Sequence, residues 1–166
     1  QFYLKQKQTI ALQNTNLEAT AYELDHVKPY RSSAALIHDK NKNYILYLSD
    51  TGADRVEKSS QLKTLWKDVA PLIKKDKLKA ILIEVSFPNS QPEHLLFGHL
   101  TPELLQEELA SLAKFTGKKA LKNLNIIVTH IKPEGENEQI IKSELLNSNA
   151  FDVNYIFPEQ GKKISL

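Results

Sequence analysis

The spacing of hydrophobic and polar positions divides the chain into short extended runs first, and strands alternating with helices afterwards. Residues 1–16 are mostly polar, with Thr9-Ile10-Ala11-Leu12 predicted as an edge strand. Ala19 to Leu24 alternates with a period of two and delivers Asp25-His26 at its end. Ser32 to His38 and Asn43 to Leu48 are extended runs joined by Asp39-Lys40-Asn41-Lys42, whose turn chemistry predicts a hairpin. The period then changes. Leu62, Leu65, Trp66, Val69, Leu72 and Ile73 recur at helical spacing between Ser60 and Lys74, with Pro71 expected to kink the last turn. Lys79 to Val85 is continuously apolar until Glu84, as in a strand covered on both faces. Thr101, Pro102 and Glu103 start a second helix with a core stripe of Leu104, Leu105, Leu109, Leu112 and Ala113, closed by Gly117. Leu124 to Thr129 is another buried strand, Glu136 to Asn147 a third helix, and Val153 to Ile156 a late strand.

This order implies a sheet packed against helices, in the α/β or α+β class. Asp25-His26, Asp50, Glu84 and His130 each fall at or near the carboxyl end of a predicted strand. Open α/β sheets place their sites at such ends.

Composition narrows the options. A chain of 166 residues can bury one good core, so residues 1–166 are expected to form a single domain or one portion of a larger domain. The formal net charge of +2 and the lack of a basic, aromatic-rich surface argue against a nucleic-acid partner. No run reaches the ~18 apolar residues that span a bilayer, so no membrane partner is expected. The absence of cysteine excludes disulfides and thiolate metal sites, and leaves periplasmic and cytoplasmic locations both open. The chain lacks methionine and opens on Gln1, which is expected of a processed or truncated segment.

Four groups could carry chemistry. Asp50, in Ser49-Asp50-Thr51-Gly52, either caps its own turn or offers a carboxylate held at a strand tip. Glu84 interrupts an apolar strand, so it is either paired where it is buried or solvated where the strand surfaces. His99 sits in a Gly-containing turn that feeds a helix N-terminus, and His130 follows a buried strand. His38 and His94 read as surface or loop packing. Imidazoles and carboxylates converging without thiolates suit zinc, manganese or iron.

Ser49-Asp50-Thr51-Gly52, Ile83-Glu84-Val85-Ser86-Phe87-Pro88-Asn89, Phe97-Gly98-His99-Leu100-Thr101-Pro102 and Val128-Thr129-His130-Ile131-Lys132-Pro133 occur in this order. Together they resemble the class II cyclic-nucleotide phosphodiesterases of the metallo-β-lactamase superfamily, from about Ala21 to the C-terminus. The resemblance implies an αββα sandwich with two divalent metal ions, zinc being the expected metal, on one edge. It implies Asp50 as the carboxylate bridging both metals, His130 as the terminal ligand of one, and His26 as a ligand of the other. His99 resembles the Gly-His-x-Thr histidine of tRNA 3′-processing endonucleases, where it protonates the leaving oxygen, and Glu84 would orient it. The implied substrate is a 3′,5′-cyclic nucleotide and the product its 5′-monophosphate.

One departure matters. The superfamily's principal metal motif, His-x-His-x-Asp-His, is absent. The chain is therefore expected to be the C-terminal portion of the sandwich without its N-terminal half, and weakly metal-binding and inactive by itself. An exposed apolar face should then drive association with that half or a homo-oligomer. The rival readings are an RNA-processing nuclease of the same superfamily and an inactive remnant or interaction module.

Overall fold

The computed structural model describes residues 6–27 and 29–166, so the first part of the polar stretch predicted over 1–16 lies outside the described residues. Seven strands form one sheet in which spatial order equals chain order. β1 (Thr9–Ala11), β2 (Glu18–Asp25), β3 (Arg31–His38) and β4 (Tyr44–Leu48) are an antiparallel meander. β5 (Leu78–Glu84), β6 (Asn125–Thr129) and β7 (Asn154–Ile156) add to β4 in parallel. Short α1 (Asp54–Glu57) and long α2 (Gln61–Lys74) connect β4 to β5, α3 (Pro102–Thr116) connects β5 to β6, and α4 (Asn137–Asn147) connects β6 to β7.

These parallel connections all step the same way across the sheet. Right-handed crossovers then put their helices on one face. The core shows this: Leu62, Leu65, Trp66 and Val69 of α2, Leu105, Leu109 and Leu112 of α3, and Ile141 and Leu145 of α4 join Leu24, Leu46, Ile81, Ile83, Ile126 and Val128. Alternation along the strands turns Ala35, Ile37, Ile45, Tyr47 and Leu82 to the other face, where the register aligns Ala35 with Tyr47 and Tyr47 with Leu82. Tyr47 remains 45% exposed and Ile45 36%. An apolar sheet face is thus left open to solvent, as expected for one layer pair of a four-layer sandwich.

The helices are held by specific bonds. Thr101 Oγ1 accepts from the Leu104 amide and caps α3, with Pro102 at its first position. α2 takes its cap from further upstream: Asp54 accepts from the amides of Leu62 and Lys63. Pro71 lies inside α2, which runs on to Lys74. Between α2 and α3, the buried Glu108 carboxylate accepts from Trp66 Nε1 at 2.8 Å and from the Asp54 amide at 3.0 Å. Burial pushes the Glu108 carboxyl above the usual carboxylate range.

Candidate active site

Every candidate residue lies on one rim, the carboxyl ends of β2, β4, β5 and β6. β4 ends at Leu48, and the turn carrying Asp50 is pinned from several sides. Ser32 Oγ donates to the Asp50 carbonyl, the Thr51 amide donates to Glu84 Oε1 at 3.2 Å, and Thr51 Oγ1 donates to the Asp25 carbonyl at 3.2 Å. Thr51 is fully buried and links the strand that precedes His26 to the strand that ends in Glu84. The Asp50 carboxylate is directed at another loop, with Oδ1 3.2 Å from His130 Nδ1.

Glu84 is 1% exposed and fully engaged, which decides between the alternatives left open by its sequence. Oε1 accepts from His99 Nδ1 at 2.8 Å and from the Thr51 amide; Oε2 accepts from Ser86 Oγ at 2.7 Å and from the Leu100 amide at 3.4 Å. A buried carboxylate with this many donors escapes the cost of an unpaired charge. The bond to Nδ1 fixes the orientation of the His99 ring and leaves Nε2 as the ring nitrogen free for chemistry.

His26 is held through its backbone surroundings. Its Nδ1 donates to the Gly98 carbonyl at 2.9 Å, which leaves the Nε2 lone pair for a ligand. Gly98 has φ +78°, and a Cβ built there would stand 2.4 Å from the Val27 amide nitrogen and 2.6 Å from His26 Nδ1. Glycine is required for both reasons. His130, just past β6, holds a left-handed φ of +58°, a conformation that is uncommon outside glycine and often met at functional sites. The His99 ring lies 5.0 Å from that of His26 and 5.1 Å from that of His130, between the two.

The donor set suits a divalent transition metal. Ligand atoms of His26, Asp50 and His99 lie within 4.8 Å of one another, as do those of Glu84, His99 and His130. Nitrogen and oxygen donors without thiolate fit zinc, manganese or iron. His26, Asp50, His99, Glu84 and His130 therefore come together, and the remaining histidines do not. His38 is buried at the end of β3, where Nδ1 bonds the Asp39 carbonyl and Nε2 meets Glu18, and His94 is exposed in a single 3-10 turn.

Residues 6–154 match the class-II cAMP phosphodiesterases as a family. The chain belongs to that family. It is 42% identical over 154 residues to a 3′,5′-cyclic-nucleotide phosphodiesterase of Aliivibrio fischeri, covering 90% of this chain and 46% of that protein. It is 30% identical over 169 residues to the cAMP/cGMP-dependent 3′,5′-cAMP/cGMP phosphodiesterase A of Dictyostelium discoideum, covering 91% of this chain and 36% of that one. Among solved structures, unliganded yeast PDE1 superposes with a TM-score of 0.83 at 29% identity, over 95% of this chain and 48% of that one. This class-II phosphodiesterase chain thus spans about half the length, or less, of the relatives it matches. The fold expected from the motifs is the fold found.

Sequence reasoning left two rim residues without a role, Thr51 and Ser86. Both are buried hydroxyls beside motif residues. That position, a small hydroxyl flanking a carboxylate at the end of an apolar strand, is the signal that could have drawn attention to them.

Proposed function

We propose that this chain carries the leaving-group side and part of the metal-ligand set of an enzyme that hydrolyses 3′,5′-cyclic nucleotides to 5′-monophosphates. The observation that carries the reading is the Glu84–His99 contact of 2.8 Å standing beside the Asp50–His130 contact of 3.2 Å on one rim. Family membership and the names of the relatives support the same reaction.

In this reading Asp50 would be shared by a pair of divalent cations, zinc being the expected metal, and His26 and His130 would each hold one of them. When bound, the cations would supply Lewis acidity, offsetting the charge of the phosphodiester and lowering the pKa of bound water toward ~7. His99 holds a proton on Nε2. As water attacks phosphorus and the bond to the 3′ oxygen breaks, that proton passes to the departing oxygen, leaving a 3′-hydroxyl and a 5′-phosphate. Glu84 keeps the ring oriented.

Three ligands are too few for two metals. The others are expected from a segment bearing His-x-His-x-Asp-His, seated on the open apolar face around Ile45 and Tyr47, or from a second copy brought to that face. No helix among the described residues is long and apolar enough to cross a membrane.

The test combines the chain with a segment carrying His-x-His-x-Asp-His in excess zinc, then assays cyclic AMP, cyclic GMP and a tRNA precursor. Release of 5′-monophosphate is the expected result. Cleavage of the precursor alone would instead make the chain part of a nuclease. A zinc-loaded assembly that cleaves none of the three would overturn the enzymatic reading.

A further inference from the structure

Ser86 is the point at which three strand-end loops are tied together, and none of the roles above uses it. It is fully buried. Its amide donates to the Leu100 carbonyl at 3.0 Å, and its carbonyl accepts from the Lys132 amide at 3.1 Å. Its backbone therefore fastens the loop after His99 to the loop after His130. The hydroxyl lies 2.7 Å from Glu84 Oε2, 3.1 Å from His130 Nδ1 and 3.3 Å from His99 Nδ1, and it is also 3.1 Å from the His130 carbonyl.

The hydroxyl has one proton to give. The short contact to a carboxylate claims it, because a charge-assisted bond is the stronger one. Ser86 Oγ is then an acceptor toward His130, so His130 must present Nδ1–H. Two further contacts agree. Asp50 Oδ1 also faces Nδ1 at 3.2 Å as an acceptor, and Lys132 Nζ approaches Nε2 at 3.5 Å as a donor. These three polar contacts ask for the same tautomer, with the lone pair on Nε2.

We propose that Ser86 is a positioning residue that couples the Glu84–His99 pair to His130, holding His130 as the Nδ1–H tautomer so that Nε2 is offered to a divalent cation. The idea rests on the functional reading above. Its key readout is separate from catalysis.

The experiment uses the assembled enzyme with ¹⁵N-labelled histidine, comparing Ser86→Ala and Ser86→Thr with the unsubstituted protein. Imidazole ¹⁵N shifts are read without metal, at a pH where the ring is neutral, and zinc is then titrated against a chelator. The unsubstituted protein is expected to show His130 protonated on Nδ1. Ser86→Ala should give mixed tautomers and bind zinc about 10–100-fold more weakly, as when a group supporting a metal ligand is lost. Ser86→Thr, which keeps the hydroxyl, should restore both. Should the added methyl not fit, Ser86→Ala decides alone. Nδ1–H retained together with full zinc affinity in Ser86→Ala would overturn the proposal, as would a zinc loss explained entirely by unfolding in the thermal melt. If the assembled wild type hydrolyses no cyclic nucleotide, the functional reading fails while the tautomer measurement still decides the role of Ser86.

Discussion

Gly98→Ala tests how tightly the His26 loop and the His99 loop are packed. Two costs add. The backbone holds φ +78°, and forcing a side chain into such a conformation costs about 1–3 kcal/mol. The new Cβ would also fall 2.4 Å from the Val27 amide nitrogen and 2.6 Å from His26 Nδ1. Backbone cannot yield as a flexible side chain can, so overpacking adds about 1–3 kcal/mol. Gly117 provides an internal control, since its φ is +82° and no atom lies within 4 Å of the place its methyl would take. Gly117→Ala should show the backbone cost alone. For a protein of this size each kcal/mol lowers the melting temperature by roughly 2–4 °C. Gly98→Ala should therefore melt several degrees below Gly117→Ala, and should bind zinc about 10–100-fold more weakly because the His26 ring loses its anchor. Calorimetry of both variants and a zinc titration are sufficient. If the two melt together and bind zinc equally, the close approach of Gly98 to His26 is not what fixes that ligand.

Three further outcomes are expected. Asp50→Ala should abolish binding of at least one zinc ion in the assembled enzyme, measured by metal analysis after dialysis; unchanged content would refute a bridging role. His99→Ala should keep its metal while turnover falls about 10²–10⁴-fold, as for loss of a general acid. Because His99 belongs to both candidate ligand groups, metal lost on that substitution would make it a ligand instead. Glu108 gives a pH test. Its folded-state carboxyl is raised by burial, so its contribution to stability is complete below the ordinary carboxylate range and is lost as pH rises through the raised value. Urea melts followed by fluorescence of the single tryptophan, Trp66, should show that decline, and Glu108→Gln should remove it while costing about 1 kcal/mol for one unmet donor. Identical pH profiles for the two proteins would exclude Glu108 as its source.

Most of the fold was legible because its strands are marked by burial. Leu78–Glu84 is apolar but for Lys79 and Glu84, Asn125–Thr129 carries Ile126, Ile127 and Val128 between polar ends, and the amphipathic stripe of α2 sets that helix within a residue. α1 was not legible. Four residues are too few to show a period, and Asp54–Glu57 is held by tertiary bonds from Glu108 and Ser59. The convergence of His26, Asp50, Glu84, His99 and His130 was anticipated by strand-end position and motif order. Of their bonds, only the Glu84–His99 pair was anticipated, as the resemblance implied. The other donors to Glu84 were not legible, because they come from residues 51, 86 and 100, which only the sheet brings together.

That distribution of bonds bears on what the chain can do by itself. Glu84 gathers the ends of β4 and β5 and the start of α3 through its own four acceptor contacts, and Ser86 extends the same network to the loop after β6. All of these partners are supplied within the described residues. His99 is therefore oriented by the chain's own residues, whereas the proposed ligands Asp50, His26 and His130 are too few donors to saturate two metals. Geometry and ligand number separate: the proposed proton donor is preorganised, and the proposed metal site is incomplete. Supplying a segment with the remaining donors should thus raise metal affinity steeply while leaving the Glu84–His99 contact unchanged, because that contact owes nothing to the added half.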